Sequence, residues 1–166
     1  MKRQLNIVVN GEPRELYVEP KTLLVQVIRE HLGLKGTHQA CDSSSCAACT
    51  VVIDGLAVKS CSVLALQANG RNVTTIEGLA EESKLHPIQQ AFVDNWAFQC
   101  GYCTSGQIMA TKALLDENSD PTRREIQSAL DGHLCRCTAY NMITEAVQDA
   151  AKRLQARKAA KNEEVA

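Results

Sequence analysis

The residues of this chain with most chemistry in them are its eight cysteines, which fall into two sets of four. Cys41, Cys46, Cys49 and Cys61 lie in the first half, and Cys100, Cys103, Cys135 and Cys137 in the second. Eight in 166 residues is about 5%, below the ~8–10% of a disulfide scaffold. The opening Met1-Lys-Arg-Gln-Leu-Asn6 lacks the apolar stretch of a secretory signal. A reducing compartment is therefore expected, and there thiols turn to metal or redox chemistry.

In the first set, C-x4-C-x2-C is the loop spacing of plant-type [2Fe–2S] centres. Three thiolates on one loop can wrap a small inorganic core, but the fourth must return to it. A hairpin supplies the return: Thr50–Ile53 and Leu56–Ser60 flank Asp54-Gly55. With Asp54-Gly55 as a two-residue turn, Ile53 pairs with Leu56. Constant index sum then puts Cys61 opposite Ala48, beside Cys49, and opposed residues lie ~4.5–5.5 Å apart. Zinc also accepts four thiolates, but its ligands usually come as two closely spaced pairs. A Rieske centre would need two histidines in place of two cysteines, and both cysteine sets are complete. The second set is C-x2-C, thirty-one residues, then C-x-C. Taken alone it leaves three readings open: iron–sulfur, structural zinc, or a thioredoxin-like dithiol. Helix starts are expected close after both cysteine pairs, and a helix N-terminus favours thiolates.

The elements that must position these residues differ between the halves. Leu5–Asn10 and Arg14–Val18 alternate apolar and polar residues around Asn10-Gly11, a hairpin signal. Thr22 is placed to cap a helix through Leu32, with Leu24, Val27, Ile28 and Leu32 on one face and Gly33 as its stop. Thr37–Cys49 reads as a loop, a short helix runs to Asn69-Gly70, and a strand covers Asn72–Thr75. From Pro87 the period-2 pattern disappears. Helices are expected at Pro87–Trp96, Ser105–Glu117, Arg123–Leu130 and Met142–Arg157, with capping boxes at Thr104–Gln107 and Thr122–Glu125. The reading is α+β: a sheet domain over 1–78, a four-helix domain over 79–158, and a charged tail, 159–166, frayed or disordered. The polar stretch Ile76–His86 is the expected linker. An apolar content of 45% suffices for packed cores, and a net charge of −1 argues against nucleic acid as the main partner. No apolar run reaches the ~20 residues that span a bilayer.

The combined motifs carry a resemblance. Cys41-Asp-Ser-Ser-Ser-Cys46-Ala-Ala-Cys49-Thr with Val58-Lys-Ser-Cys61, then Gln99-Cys-Gly-Tyr-Cys103-Thr and Leu134-Cys-Arg-Cys137-Thr, resemble the small iron–sulfur subunit of the molybdenum hydroxylases. This is the xanthine dehydrogenase and aldehyde oxidoreductase family; within it the chain looks most like the small subunit of aerobic carbon monoxide dehydrogenase. The resemblance runs from Leu5 to about Leu154. It implies an N-terminal β-grasp ferredoxin-like domain and a C-terminal four-helix domain, each holding a [2Fe–2S] cluster. It implies electrons passing from a molybdenum–pterin centre on a large subunit to FAD on a medium subunit, in a dimer of heterotrimers. Cys100, Cys103, Cys135 and Cys137 match the cluster nearer molybdenum, and Cys41, Cys46, Cys49 and Cys61 the one nearer flavin. Gln99 matches a glutamine that hydrogen-bonds the pterin, and Cys137 a ligand whose sulfur touches it. A cytoplasmic complex is implied, compatible with attachment to the inner face of the membrane.

The departures are modest. Ala47 stands where the family usually has Gly, so its methyl calls for an ordinary backbone angle or free space. Ser105 replaces a common Pro, His133 a common Asn, and Ala139 a common Gly. His31, His38, His86 and His133 read as cap, surface or interface residues. Arg136 is either solvated or set to neutralise cluster charge. Trp96 and Phe98 read as core, with a seal over the cluster as the alternative. No Gly-rich phosphate loop, paired carboxylates or Ser/His/Asp set suggests bond chemistry on this chain. A free-standing electron carrier and a zinc-bound interaction module are the competing functions.

Overall fold

The computed structural model describes residues 1–80 and 84–165, with side chains through 160. Asn10 (φ 53°) and Gly11 (φ 82°) adopt the left-handed conformations of a tight hairpin turn, joining β1 (Arg3–Val9) to β2 (Glu12–Val18). Asp54 (φ 48°) and Gly55 (φ 89°) repeat the device between β3 (Thr50–Ile53) and β4 (Leu56–Lys59). With β5 (Asn72–Thr74) they form one sheet in the order β2-β1-β5-β3-β4, β1 and β5 being parallel. The expected hairpin register holds, from Ile53↔Leu56 to Thr50↔Lys59.

The grasped helix starts later than expected. Thr22 does not cap it: Leu23 occupies the N-cap position, and the Thr22 carbonyl accepts the Ala65 N–H at 2.8 Å. Gln26 Oε1 accepts the Leu23 N–H at 2.9 Å instead, and α1 covers Leu24–Gln26 before relaxing into a π-helical turn, Val27–His31. Leu24, Val27 and Ile28 are fully buried against Leu5, Ile7, Val9, Val51 and Val73 of the sheet, which fulfils the predicted apolar face.

Four more helices follow: α2 (Pro87–Asp94), α3 (Thr104–Glu117), α4 (Arg123–Ala129) and α5 (Tyr140–Val165). Residues 81–83 of the expected linker lie outside the described residues. The expected frayed tail is corrected: α5 continues through it to Val165, since Ala, Lys and Glu, which make up most of it, are strong helix formers. The Thr104 capping box is also corrected. Cys103, in helical conformation, is the N-cap, and the Thr104 hydroxyl is buried with no partner among the described residues. The Thr122 box forms as expected, with the Thr122 N–H donating to Glu125 Oε2 at 2.7 Å. Trp96 is not core. It takes a left-handed C-terminal position after α2 (φ 52°) and is 74% exposed.

The helical core gathers Ile88, Phe92, Ile108, Met109, Ile126, Ile143 and Val147, and it also takes in Val52 of β3. Strand alternation explains this: Val51 and Ile53 face the grasped helix, while Val52 faces the helical half. Gly106 makes the close approach possible, because a Cβ there would collide with the carbonyl oxygen of Ala47 and lie 3.0 Å from that of Ala48.

Gly106→Ala should therefore destabilise the chain by about 1–3 kcal/mol through overpacking, measured by denaturant unfolding. Thr122→Ala should cost about 1 kcal/mol at neutral pH through the lost cap. The Thr122 hydroxyl and N–H hold Glu125 below its ordinary carboxyl value. That contribution is present above the ordinary glutamate range and fades as pH falls through the lowered value, so the gap between variant and wild type should narrow on acidification.

Candidate metal centres

All eight cysteines are free thiols. The loop after α1 begins on fixed points: Arg29 Nη1 donates to the carbonyls of Lys35 at 2.9 Å and Thr37 at 2.6 Å, and Glu77 Oε1 accepts the Gly36 N–H at 2.8 Å. It then carries Cys41, Cys46 and Cys49, bending through left-handed Ser44 (φ 58°) and Ala47 (φ 57°). Such bends aim successive backbone N–H groups at an anionic centre. The expectation for Ala47 is therefore corrected: it has neither an ordinary angle nor free space, being left-handed and 1% exposed. Its carbonyl accepts the Thr50 N–H at 3.1 Å and the Thr50 hydroxyl at 2.8 Å, which hold the bend.

The return predicted for Cys61 is realised one residue past the ladder. Ser60 donates to the Cys49 carbonyl from its N–H at 3.3 Å and from its hydroxyl at 2.7 Å. The Cys61 thiol then lies beside Cys49, and 3.7 Å from Ser44 Oγ. The other pair of this set is Cys41 with Cys46. The Cys46 N–H, helped by the Cys46 thiol, draws the Cys41 thiol down to about 6. Burial pushes Cys49 up to about 11.

The second set repeats the pattern. A left-handed Gly101 (φ 80°) bends the chain between Cys100 and Cys103, and the Cys103 carbonyl accepts the first helical N–H of α3, from Gln107, at 3.1 Å. Cys135 is fixed by two bonds: its N–H donates to the Tyr140 hydroxyl at 2.8 Å, and its sulfur accepts the Ala139 N–H at 3.4 Å. Cys100 pairs with Cys137 and Cys103 with Cys135. Exposed Cys100 is held low by the Tyr102 N–H and then by the Cys137 thiol. Burial pushes Cys103 up to about 12, with the Cys135 thiol beside it.

This geometry bears on the choice of metal. A mononuclear zinc site needs four ligands about one centre. Two thiol pairs set side by side suit a two-iron core, in which each iron takes two thiolates. The residues fit that group.

The two sets are also joined to each other. The Leu134 N–H donates to the Cys46 carbonyl at 3.1 Å. Thr50, next to Cys49, meets His133 Nε2 at 3.1 Å. The His38 ring stacks on Tyr102 at 4.6 Å, and its Nδ1 lies 2.9 Å from the Tyr102 carbonyl. His38 and His133 are thus interface residues, His86 caps α2, and His31 is exposed, as read from sequence. Arg136 is exposed. Gln99 is exposed, its Nε2 donating to the Cys137 carbonyl at 2.9 Å. What the sequence reading missed is the joining role of Gly106 and Leu134; a glycine early in a helix was the available signal.

Residues 7–82 match the family described as 2Fe-2S iron-sulfur cluster binding domain, and residues 75–148 match the one described as [2Fe-2S] binding domain. A nicotinate dehydrogenase subunit of Pseudomonas putida is 44% identical over 92% of this chain and 97% of its own length. The nicotinate dehydrogenase small FeS subunit of Eubacterium barkeri is 45% identical over 92% and 97%. Among solved structures, quinoline 2-oxidoreductase from Pseudomonas putida 86 superposes with a TM-score of 0.87 at 39% identity, covering 91% of this chain and 94% of that one. The aldehyde oxidoreductase of Desulfovibrio gigas gives 0.89 at 39% identity, covering 93% of this chain and 17% of that much longer one. Two cluster-binding domains in this order, and relatives matched along nearly their whole length, identify the chain: it belongs to the family of small iron–sulfur subunits of the molybdenum hydroxylases.

Proposed function

We propose that Cys41, Cys46, Cys49 and Cys61 hold one [2Fe–2S] cluster and Cys100, Cys103, Cys135 and Cys137 a second, and that the chain conducts electrons from a molybdenum–pterin centre on a large subunit to FAD on a medium subunit. The observation that carries this reading is the arrangement of eight free thiols as two sets, each made of two pairs. A bound [2Fe–2S] cluster supplies reversible uptake of one electron. The chain's own residues do the rest. Thiolates fix each core, inward N–H groups balance its charge, and buried Cys49 and Cys135 keep water from its inner side. We divide the chain near residue 78 into a ferredoxin-like part and a helical part.

The helical part is taken to face the large subunit, as the resemblance implies. Gln99 and Cys137, linked by their hydrogen bond and both accessible, are the residues proposed to meet the pterin. We infer a dimer of heterotrimers in the cytoplasm. Among the described residues no helix is long and apolar enough to cross a membrane. The named relatives act, by their names, on nicotinate, quinoline and aldehydes. Substrate contact falls to the large subunit, and this chain serves the electron traffic whichever compound is oxidised.

Metal and sulfide analysis of the purified complex should give four irons and four acid-labile sulfides per chain, with two distinct paramagnetic resonance signals on reduction. Two zinc atoms without sulfide would sink the assignment. Cys46→Ser and Cys103→Ser should each remove one signal and spare the other, because the ligand sets sit on different cores; loss of both in a folded variant would contradict it. Gln99→Leu should slow reduction of both clusters by substrate in rapid mixing while leaving their spectra nearly intact. Unchanged rates would count against the pterin contact.

A further inference from the structure

Three serines stand in a row between Cys41 and Cys46, and two of them are occupied with each other. Ser43 Oγ lies 3.0 Å from Ser45 Oγ, which also donates to the Ser43 carbonyl at 3.2 Å. Ser44 points elsewhere: its Oγ lies 3.7 Å from the sulfur of Cys61. Ser62 Oγ stands 3.8 Å from the same sulfur. Cys61 is thereby set apart within its ligand set. Backbone N–H groups of Cys46, Ser43 and Ser45 meet the Cys41 thiol, and the Cys61 N–H meets the Cys49 thiol. The sulfur of Cys61 is reached instead by two side-chain hydroxyls.

The sense of these contacts is fixed once iron is bound. A free thiol can donate to a hydroxyl, but a thiolate on iron has no hydrogen. The contact then persists only with the hydroxyl donating, and a hydroxyl hydrogen rotates to suit without moving its oxygen. The two hydroxyls are not equivalent. Ser62 is exposed, so water takes the place of its hydroxyl at little loss. Ser44 is half-buried, and Lys59 Nζ fixes it by donating to its carbonyl at 3.1 Å. Its backbone is left-handed, with φ 58°, a conformation that glycine adopts without strain. The side chain kept there in spite of that cost is the one that reaches Cys61. Uptake of an electron makes a cluster more negative. A donor on a ligand sulfur therefore favours the reduced state, and hydrogen bonds to the sulfurs are among the factors that set the potential.

We propose that the Ser44 hydroxyl donates to Cys61 Sγ in the cluster-loaded protein and raises the reduction potential of the cluster held by Cys41, Cys46, Cys49 and Cys61. The proposal rests on the reading of these four residues as [2Fe–2S] ligands. A redox titration of the purified complex, followed by paramagnetic resonance of both clusters, tests it. Ser44→Ala removes the hydroxyl and keeps the Cβ. Ser44→Gly removes the hydroxyl and also relieves the left-handed bend, so loop assembly is not at risk. Both variants should make reduction of the first cluster about tenfold less favourable, a fall of about 59 mV for a one-electron couple. The second cluster should keep its midpoint. An unchanged first-cluster midpoint in both variants overturns the proposal. A shift in one variant alone reports the backbone bend rather than the hydroxyl, and an equal shift of both clusters reports a general disturbance; each of these overturns it too. If the wild-type complex shows no [2Fe–2S] signal for this ligand set, the cluster reading itself fails, an outcome distinct from failure of the role given to Ser44.

Discussion

The structure depends on one close approach, that of the start of α3 to the backbone at Ala47 and Ala48. Gly106 permits it by having no side chain to place between them. Everything with chemistry is organised around this contact. Cys46 and Cys49 flank the two alanines, Cys103 caps the approaching helix, and Leu134, next to Cys135, closes the junction by its bond to the Cys46 carbonyl. The two thiol sets are therefore built on one shared junction, although each half of the chain keeps its own apolar core. From the backbone of Cys46, a proposed ligand of the first cluster, only one hydrogen bond and one residue intervene before Cys135, a proposed ligand of the second. Electron conduction falls steeply with distance through protein, so a junction of backbone atoms is a suitable medium between two redox centres.

The same contact explains an otherwise costly loop. Left-handed conformation at a residue with a Cβ costs roughly 1–2 kcal/mol, and Ser44 and Ala47 both adopt it. Such strain persists only where the surroundings over-determine it. At Ala47 the surroundings are the Thr50 N–H and hydroxyl on its carbonyl and α3 pressed against its back. At Ser44, Lys59 Nζ donates to the carbonyl at 3.1 Å. The loop is held by its neighbours, and the N–H groups of Cys46, Ser43 and Ser45 meet the Cys41 thiol.

Much of this is legible in the sequence because it is local. The cysteine spacings, the Asn10-Gly11 and Asp54-Gly55 turns and the constant index sum of the second hairpin are properties of short segments, and each appears in the structure where expected. Thr22 and Thr104 look like caps by composition, but long-range geometry uses them otherwise: one carbonyl is taken by Ala65, and the other residue is drawn inside the helix because Cys103 must stand at its start. Size alone argues that Trp96 is core, yet the chain turns there in a left-handed bend that holds it outside. None of these outcomes is encoded within a few residues. The apolar run Thr50-Val-Val-Ile53 does carry a signal of burial on both faces, and the helical half covers the face that the grasped helix leaves.

The exposure of the thiols follows from where they stand relative to the junction. Cys49 is 1% and Cys135 6% exposed, while Cys100 is open to solvent. Each set thus has an inner side sealed by protein and an outer side where thiols reach the surface. Around the outer side of the helical set stand Gln99, Tyr102 and Leu134, all exposed. A small carrier acting alone gains nothing from large side chains around its redox centre that it cannot bury. On a small subunit of an oxidoreductase complex, an outer side of this kind suits cover by another chain. The fold divides accordingly: a buried middle where the two halves meet, and outer sides where the thiols of each set reach the surface.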